Sequence, residues 1–202
     1  MTVASPEEIC NLALRRIAYP YPIGNIYEGS PAARVAVEIY GQTRDELLRS
    51  ADWDFARQAV GLTLLKTAPV GGYGATPWTP TNPPPPWIYE YAYPVGCLLI
   101  RSVRPTPAVI PEFDPQPNVF VLGNDASLSV PTKVILTNLP YAQAVFTAQI
   151  TDPTQWQVSF VEALIAALAT RFQLALAPSA EANKEREQEE AQEGAMAVPR
   201  RG

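Results

Sequence analysis

The sequence predicts an α+β fold: a helical bundle drawn from both the N- and C-terminal segments, with an inserted antiparallel β-rich domain and an extended C-terminal arm. Three observations predict it. Apolar residues recur at helical spacing near both ends of the chain, they alternate with polar ones through the middle, and helices and strands are segregated rather than interleaved. The expected divisions are N-terminal helices over 1–58, a β-rich domain with proline-rich loops over 59–151, a long helix over 152–177, and a polar helix and arm over 178–202.

Ser5-Pro6-Glu7-Glu8 is a helix start, with Ser5 able to cap, Pro6 at the first helical position and Glu8 completing a capping box. Ile9, Leu12, Ala13 and Ile17 then share a face, until the prolines of "YPYPIGN" end the helix. Ser30-Pro31 repeats the signal. Ala33, Val37, Tyr40, Leu47 and Leu48 form the expected stripe of a second helix reaching Ala51, with Arg44 close enough to the stripe to need a partner. Next comes "RSADWDFARQAV", in which Trp53 and Phe55 stand where a helical pattern gives way to an alternating one. Both are expected to bury as a structural joint, with Asp52 or Asp54 capping the turn. If buried, Trp53→Ala costs about 3–5 kcal/mol.

Val60, Leu62 and Leu64 alternate with Gly61 and Thr63 as a half-buried strand. Ala68 to Trp87 follows with no regular pattern, and its four consecutive prolines favour a stiff polyproline segment. Trp87, Tyr89, Tyr91 and Tyr93 alternate, so they share one face of a strand, and "CLLIRSVRP" continues with Leu98, Ile100 and Val103 inward. "NVFVLGNDASLSV" reads as a hairpin turning at Gly123-Asn124-Asp125, and "KVILT" and "AVFTAQI" supply two more strands. Asp152-Pro153 opens the long helix, running to Leu176 with Phe160, Leu164, Ala167, Leu168, Arg171, Phe172 and Ala175 in register. Glu162, Arg171 and Gln173 interrupt its apolar run, which favours a buried helix over a membrane span. Glu181 to Glu193 is a polar helix or arm leading to an arginine-ended tail. The chain opens directly on a capped helix, so no signal peptide is expected.

Composition narrows the chemistry. The chain has no histidine, which removes the commonest general base and zinc ligand together. A net charge of −5 with three lysines argues against phosphate-backbone binding. Cys10 and Cys97 are too few for a metal motif; a disulfide is open, and two buried free thiols are favoured. "GGYG" lacks the strand and helix that a phosphate loop requires. Carboxylate pairs at Asp52/Asp54 and Glu112/Asp114 could serve glycoside hydrolysis, but acids in proline-rich loops are usually solvated. The aromatic strand could stack sugars or single-stranded nucleic acid, yet interleaved Lys or Arg are absent and Glu90 stands in its middle. Packing or an oligomer interface is the favoured reading. No catalytic residue, metal ligand or cofactor is expected.

Four stretches together resemble the head–tail adaptor (connector) proteins of tailed bacteriophages, of the tail tubular protein A type. They are "EICNLALRRI", "SPAARVAVEIYGQTRDELLRSADWDFA", "YEYAYPVGCLLIRSV" and "TDPTQWQVSFVEALIAALATRFQLAL", in the family's order and over about two-thirds of the chain. The tryptophan-x-phenylalanine joint recurs in that family at the same place. Gly96 stands where the family commonly has an acidic residue, and the loop from Ala68 to Pro86 is unusually rich in proline.

The resemblance implies a non-enzymatic virion protein of the tail or neck, present in the host cytoplasm during assembly. It implies a homo-oligomeric ring, usually a dodecamer, beneath the portal protein. Its β-rich part would meet the tail nozzle or tail tube protein and, in some tails, the fibres. DNA would pass through without sequence-specific binding, and no membrane is involved. The portal-binding arm would be Met196, Val198, Pro199, Arg200 and Arg201, and contacts to a nozzle, fibre or neighbouring subunit would use Tyr73, Trp78 and Trp87. The alternative is a carbohydrate-binding or cell-wall-acting tail component using Trp78 or the Trp87/Tyr89/Tyr91 face.

Overall fold

The computed structural model describes residues 5–74, 76–106, 119–127 and 130–176. The chain is mixed α+β, and it divides into two compact units: Met1–Leu47 with Ile150–Gly202, and Leu48–Gln149. The helical unit thus takes both ends of the chain. Its boundaries fall at 47/48 and 149/150 rather than at 58/59 and 151/152, because the last turn of the second helix belongs with the strands.

In the helical unit, α1 (Pro6–Arg16) starts at Ser5, whose hydroxyl accepts from the Glu8 amide at 3.2 Å. Its buried face is Ile9, Cys10, Ala13 and Leu14, turned from the expected stripe so that Leu12 and Ile17 are only half-buried. The loop beyond is pinned by Asn11, which donates to Ile23 O and accepts from Ile23 N at 2.8 and 2.7 Å. α2 (Pro31–Ser50) buries Ala32, Ala33, Ala36, Tyr40, Thr43 and Leu48, while Val37 is 49% exposed and lies off the stripe. Arg44 has its partner in Asp45 at 2.8 Å.

Asp152 caps a short 3₁₀ turn (Pro153–Gln155) instead of opening the long helix. The helix α3 covers Val158–Leu176. It is long and apolar enough to cross a membrane by length and composition, but Phe160, Leu164, Leu168, Phe172 and Leu176 are buried in the unit at core-helix spacing. Ala167 is only half-buried and Ala175 is exposed. Glu162 pairs with Arg16 of α1 at 2.7 Å, and Arg171 pairs with Glu46 of α2.

The β-rich unit holds two antiparallel sheets. The strands are β1 (Arg57–Gly61), β2 (Leu64–Thr67), β3 (Tyr89–Ala92), β4 (Cys97–Pro105), β5 (Phe120–Asp125), β6 (Thr132–Thr137) and β7 (Ala142–Ala148). One sheet has the order β1-β7-β4 and the other β2-β3-β6-β5. The expected single strand around Val60 to Leu64 is therefore two strands in different sheets, and β1 is exposed along its whole length. The hairpin continues past its expected turn, because Gly123, Asn124 and Asp125 still pair with Val134, Lys133 and Thr132.

A bulge in β4 explains an odd spacing. Ile100 faces Phe146 and Val103 faces Ala144, so the extra residue between them puts both on one buried side. The link from β3 to β4 is a turn closed by Cys97 N donating to Pro94 O at 3.2 Å, with Gly96 at φ 70°. An L side chain is strained there, so glycine fits where an acidic residue would not.

Candidate functional site

The second helix ends on Arg101 of β4. Its guanidinium donates to the carbonyls of Leu48, Arg49 (3.1 Å) and Ala51, and to Thr147 Oγ1 (2.9 Å). These are carbonyls that a helix end leaves without partners, so a cation there both satisfies them and opposes the dipole. The expected joint residues follow at once. Trp53 and Phe55 are half-buried rather than buried, with ring centroids 6.2 Å apart. Neither aspartate caps the 3₁₀ turn at Asp54–Ala56; Asp52 pairs with Arg57 instead. The bulge that aims Arg101 leaves no trace in a period-two pattern, so the sequence does not mark this residue.

The proline-rich segment is ordered by its own hydrogen bonds. Tyr73 donates to Pro83 O, the Trp78 indole N–H to Pro83 O (3.0 Å) and Asn82 O (3.3 Å), and Asn82 Nδ2 to Thr67 O (3.0 Å). The four prolines do not run on as a polyproline rod, since the Trp87 amide turns back onto Pro84 O at 3.1 Å. Tyr73 and Trp87 are half-buried, and Trp78 is 48% exposed.

Trp78, Pro80, Asn82 and Pro84 border a cavity of about 490 Å³ together with strand residues Lys66, Glu90, Gly123, Asp125, Val134 and Leu136. That volume is in the range of small-ligand pockets. It also accounts for β3. Tyr91 is buried on one face of the strand, with its hydroxyl donating to Leu139 O at 2.9 Å, and Glu90 is buried on the other at 2% exposure. Tyr91 is thus packed, in line with the favoured packing reading of this strand, and Tyr89 and Tyr91 share a side, 6.1 Å apart.

Three charges meet in this cavity. Lys66 stands directly across from Glu90 in the β2–β3 register, and its ammonium reaches Asp125 Oδ2 at 2.6 Å, Ser127 Oγ at 2.8 Å and Pro80 O at 3.0 Å. The Ser127 and Pro80 contacts are hydrogen bonds, whereas the Asp125 contact is an ion pair whose oxygen has no hydrogen-bond donor. Glu90 Oε1 lies 3.6 Å from the same nitrogen, beyond a hydrogen bond, and this buried oxygen has no donor. Asp125 Oδ1 accepts from both the amide and the hydroxyl of Ser127, at 2.9 and 2.7 Å.

Burial raises the Glu90 carboxyl above its usual 4.5, and the neighbouring Asp125 adds to that against the pull of Lys66. Burial would raise Asp125 too, but the Lys66 ammonium and hydrogen bonds from Ser127 outweigh it and hold Asp125 well below the usual range. As pH falls, Glu90 is thus the first of the pair to take up a proton and Asp125 the last to lose its charge. The sequence carried one hint of this, a lone acid in an otherwise aromatic strand; Lys66 and Asp125 needed the strand register.

Among the described residues no cluster of three or more His, Cys, Asp or Glu could hold a metal. Cys10 and Cys97 are both free, the first buried and the second half-buried. Met196, Val198, Pro199, Arg200, Arg201, Glu112 and Asp114 lie outside the described residues. No protein-family model matches the chain, and no curated protein matches it.

Proposed function

We propose that this chain is a virion structural protein: a head–tail adaptor that forms a ring below the portal, joins capsid to tail nozzle or tail tube, and lets DNA pass. The observation that carries the reading is the layout, a helical unit drawn from both chain ends around a β-rich middle, coinciding with the four adaptor-like stretches in their order. In the finer form of this reading the helices are the bundle of the ring wall, and the segment after Pro178 is the arm that climbs to the portal.

Surface character supports the same conclusion. Val37 of α2 and Val158 and Leu174 of α3 are 49%, 63% and 77% exposed, apolar area that a lone subunit leaves to water and a ring neighbour would cover. The net charge of −5 suits a channel along which DNA slides, because walls of like charge do not trap phosphates. Trp78 beside a cavity with a charged floor favours the alternative, a carbohydrate-binding tail component.

Native mass spectrometry and negative-stain imaging, with and without the portal, test the proposal. A ring on the portal is expected, whether or not the chain is monomeric alone; a chain that never associates with a portal refutes it. Removing Ala195–Gly202 should abolish docking and leave the fold intact, and unchanged docking would overturn the arm assignment. A saccharide array should be silent.

A further inference from the structure

We infer that the cavity between the proline-rich segment and the β2-β3-β6-β5 sheet is a receptor for one basic side chain, an arginine or lysine presented by a partner protein. The inference does not depend on the adaptor reading.

The floor of the cavity decides the chemistry. Two carboxyl groups, Glu90 and Asp125, face a single cation, Lys66, which donates its hydrogen bonds to Ser127 and Pro80. Two buried acceptors of the cluster, Glu90 Oε1 and Asp125 Oδ2, have no hydrogen-bond donor. A guanidinium or ammonium is donor-only and supplies hydrogen bonds to both. Asn82 is already committed, its amide to Thr67 O and its oxygen to the Thr79 hydroxyl at 2.9 Å.

The walls fit the same guest. Trp78, Pro80 and Pro84 offer apolar surface to a hydrocarbon stem, and the indole ring is held by its two backbone acceptors where it borders the cavity. Gly123 lines the floor, where an added Cβ would meet Leu136 at 3.4 Å and Val134 at 3.5 Å, both ordinary contacts. A proton taken up by Glu90 competes with a guest cation, because burial and Asp125 raise its carboxyl against the pull of Lys66. An incoming cation replaces that proton, which leaves to solvent, so binding strengthens as pH rises. The other titratable groups facing Glu90 are Lys66 on β2, Asp125 on β5 and Tyr73 of the covering segment.

The test uses the full chain and N-acetyl-arginine methylamide, with N-acetyl-citrulline methylamide as the uncharged isostere and chitobiose as the saccharide control. Binding is followed by the Trp78 indole N–H resonance. Saturable shifts are expected for the arginine probe with Kd on the order of 1 mM. Affinity should rise from pH 5 to pH 8 and fall about tenfold in Glu90→Gln, the loss of one charge-assisted contact. Trp78→Ala, at the exposed rim, should weaken binding severalfold without touching the buried cluster. Absence of saturation up to roughly a hundred times that Kd, equal binding of the citrulline probe, binding of chitobiose instead, or unchanged affinity in both variants would each overturn the proposal.

Discussion

Replacing Lys66 with methionine removes the only cation from the buried cluster and keeps most of the side-chain volume. The structure allows the cost to be worked out. Asp125 loses its 2.6 Å partner and retains only Ser127 on the other oxygen, Glu90 loses the charge 3.6 Å away, and Pro80 O loses its donor. Breaking a buried ion pair by deleting one partner costs about 3–5 kcal/mol. Lys66 is 12% exposed in its side chain, so some water reaches the site, and about 3 kcal/mol is the expected loss.

Urea unfolding at pH 7, followed by far-UV circular dichroism and extrapolated linearly, measures it. Two controls make the result specific. The deficit should shrink as pH falls, because protonating Asp125 and Glu90 removes the uncompensated charge. Lys66→Met/Glu90→Gln/Asp125→Asn should lie within about 1 kcal/mol of the parent, since a neutral cluster needs no counter-ion. A single-variant loss below about 1 kcal/mol at pH 7 would refute the reasoning, because the ammonium would then be acting as a solvated surface charge.

Other expectations follow from the same structure. Glu90 is an acid whose folded pKa is raised above 4.5, so the stability it contributes is present below that value and lost as pH rises through its folded pKa. Parent minus Glu90→Gln stability, measured across pH 4 to 8, should therefore decline with pH, and a rising difference would contradict the assignment. Arg101→Met orphans the helix-end carbonyls of Leu48, Arg49 and Ala51 and should cost roughly 2–3 kcal/mol by urea titration. Trp53→Ala should cost only about 1–2 kcal/mol, since the side chain is half-buried. Burial pushes the Cys10 thiol up to about 12, and Cys97 is raised less and is half-buried. A disulfide reagent should accordingly modify Cys97 slowly and leave Cys10 untouched until the protein unfolds.

What the sequence made legible was whatever depends on near neighbours along the chain. Ser5-Pro6 and Ser30-Pro31 start helices because capping is a three-residue event, and both appear where expected. Aromatic alternation in β3 and the buried Ile100 and Val103 were also readable, though the bulge that reconciles that pair was not. The misses share a cause. Val60 to Leu64 looks like one strand because periodicity cannot say which sheet a residue joins, and Gly123-Asn124-Asp125 looks like a turn because local propensity favours one. The cluster is the extreme case. Lys66, Glu90 and Asp125 lie on three strands, and nothing local links them; cross-strand register, and a covering segment whose composition suggested only a stiff loop, bring them together. Trp53 and Phe55 are conspicuous by size at a joint that is fastened by Arg101, a residue some fifty positions away. In this chain the groups that matter most for chemistry are the ones whose partners are most distant in sequence, which is why a chain that reads as inert holds a buried, charged and partly unsatisfied cavity.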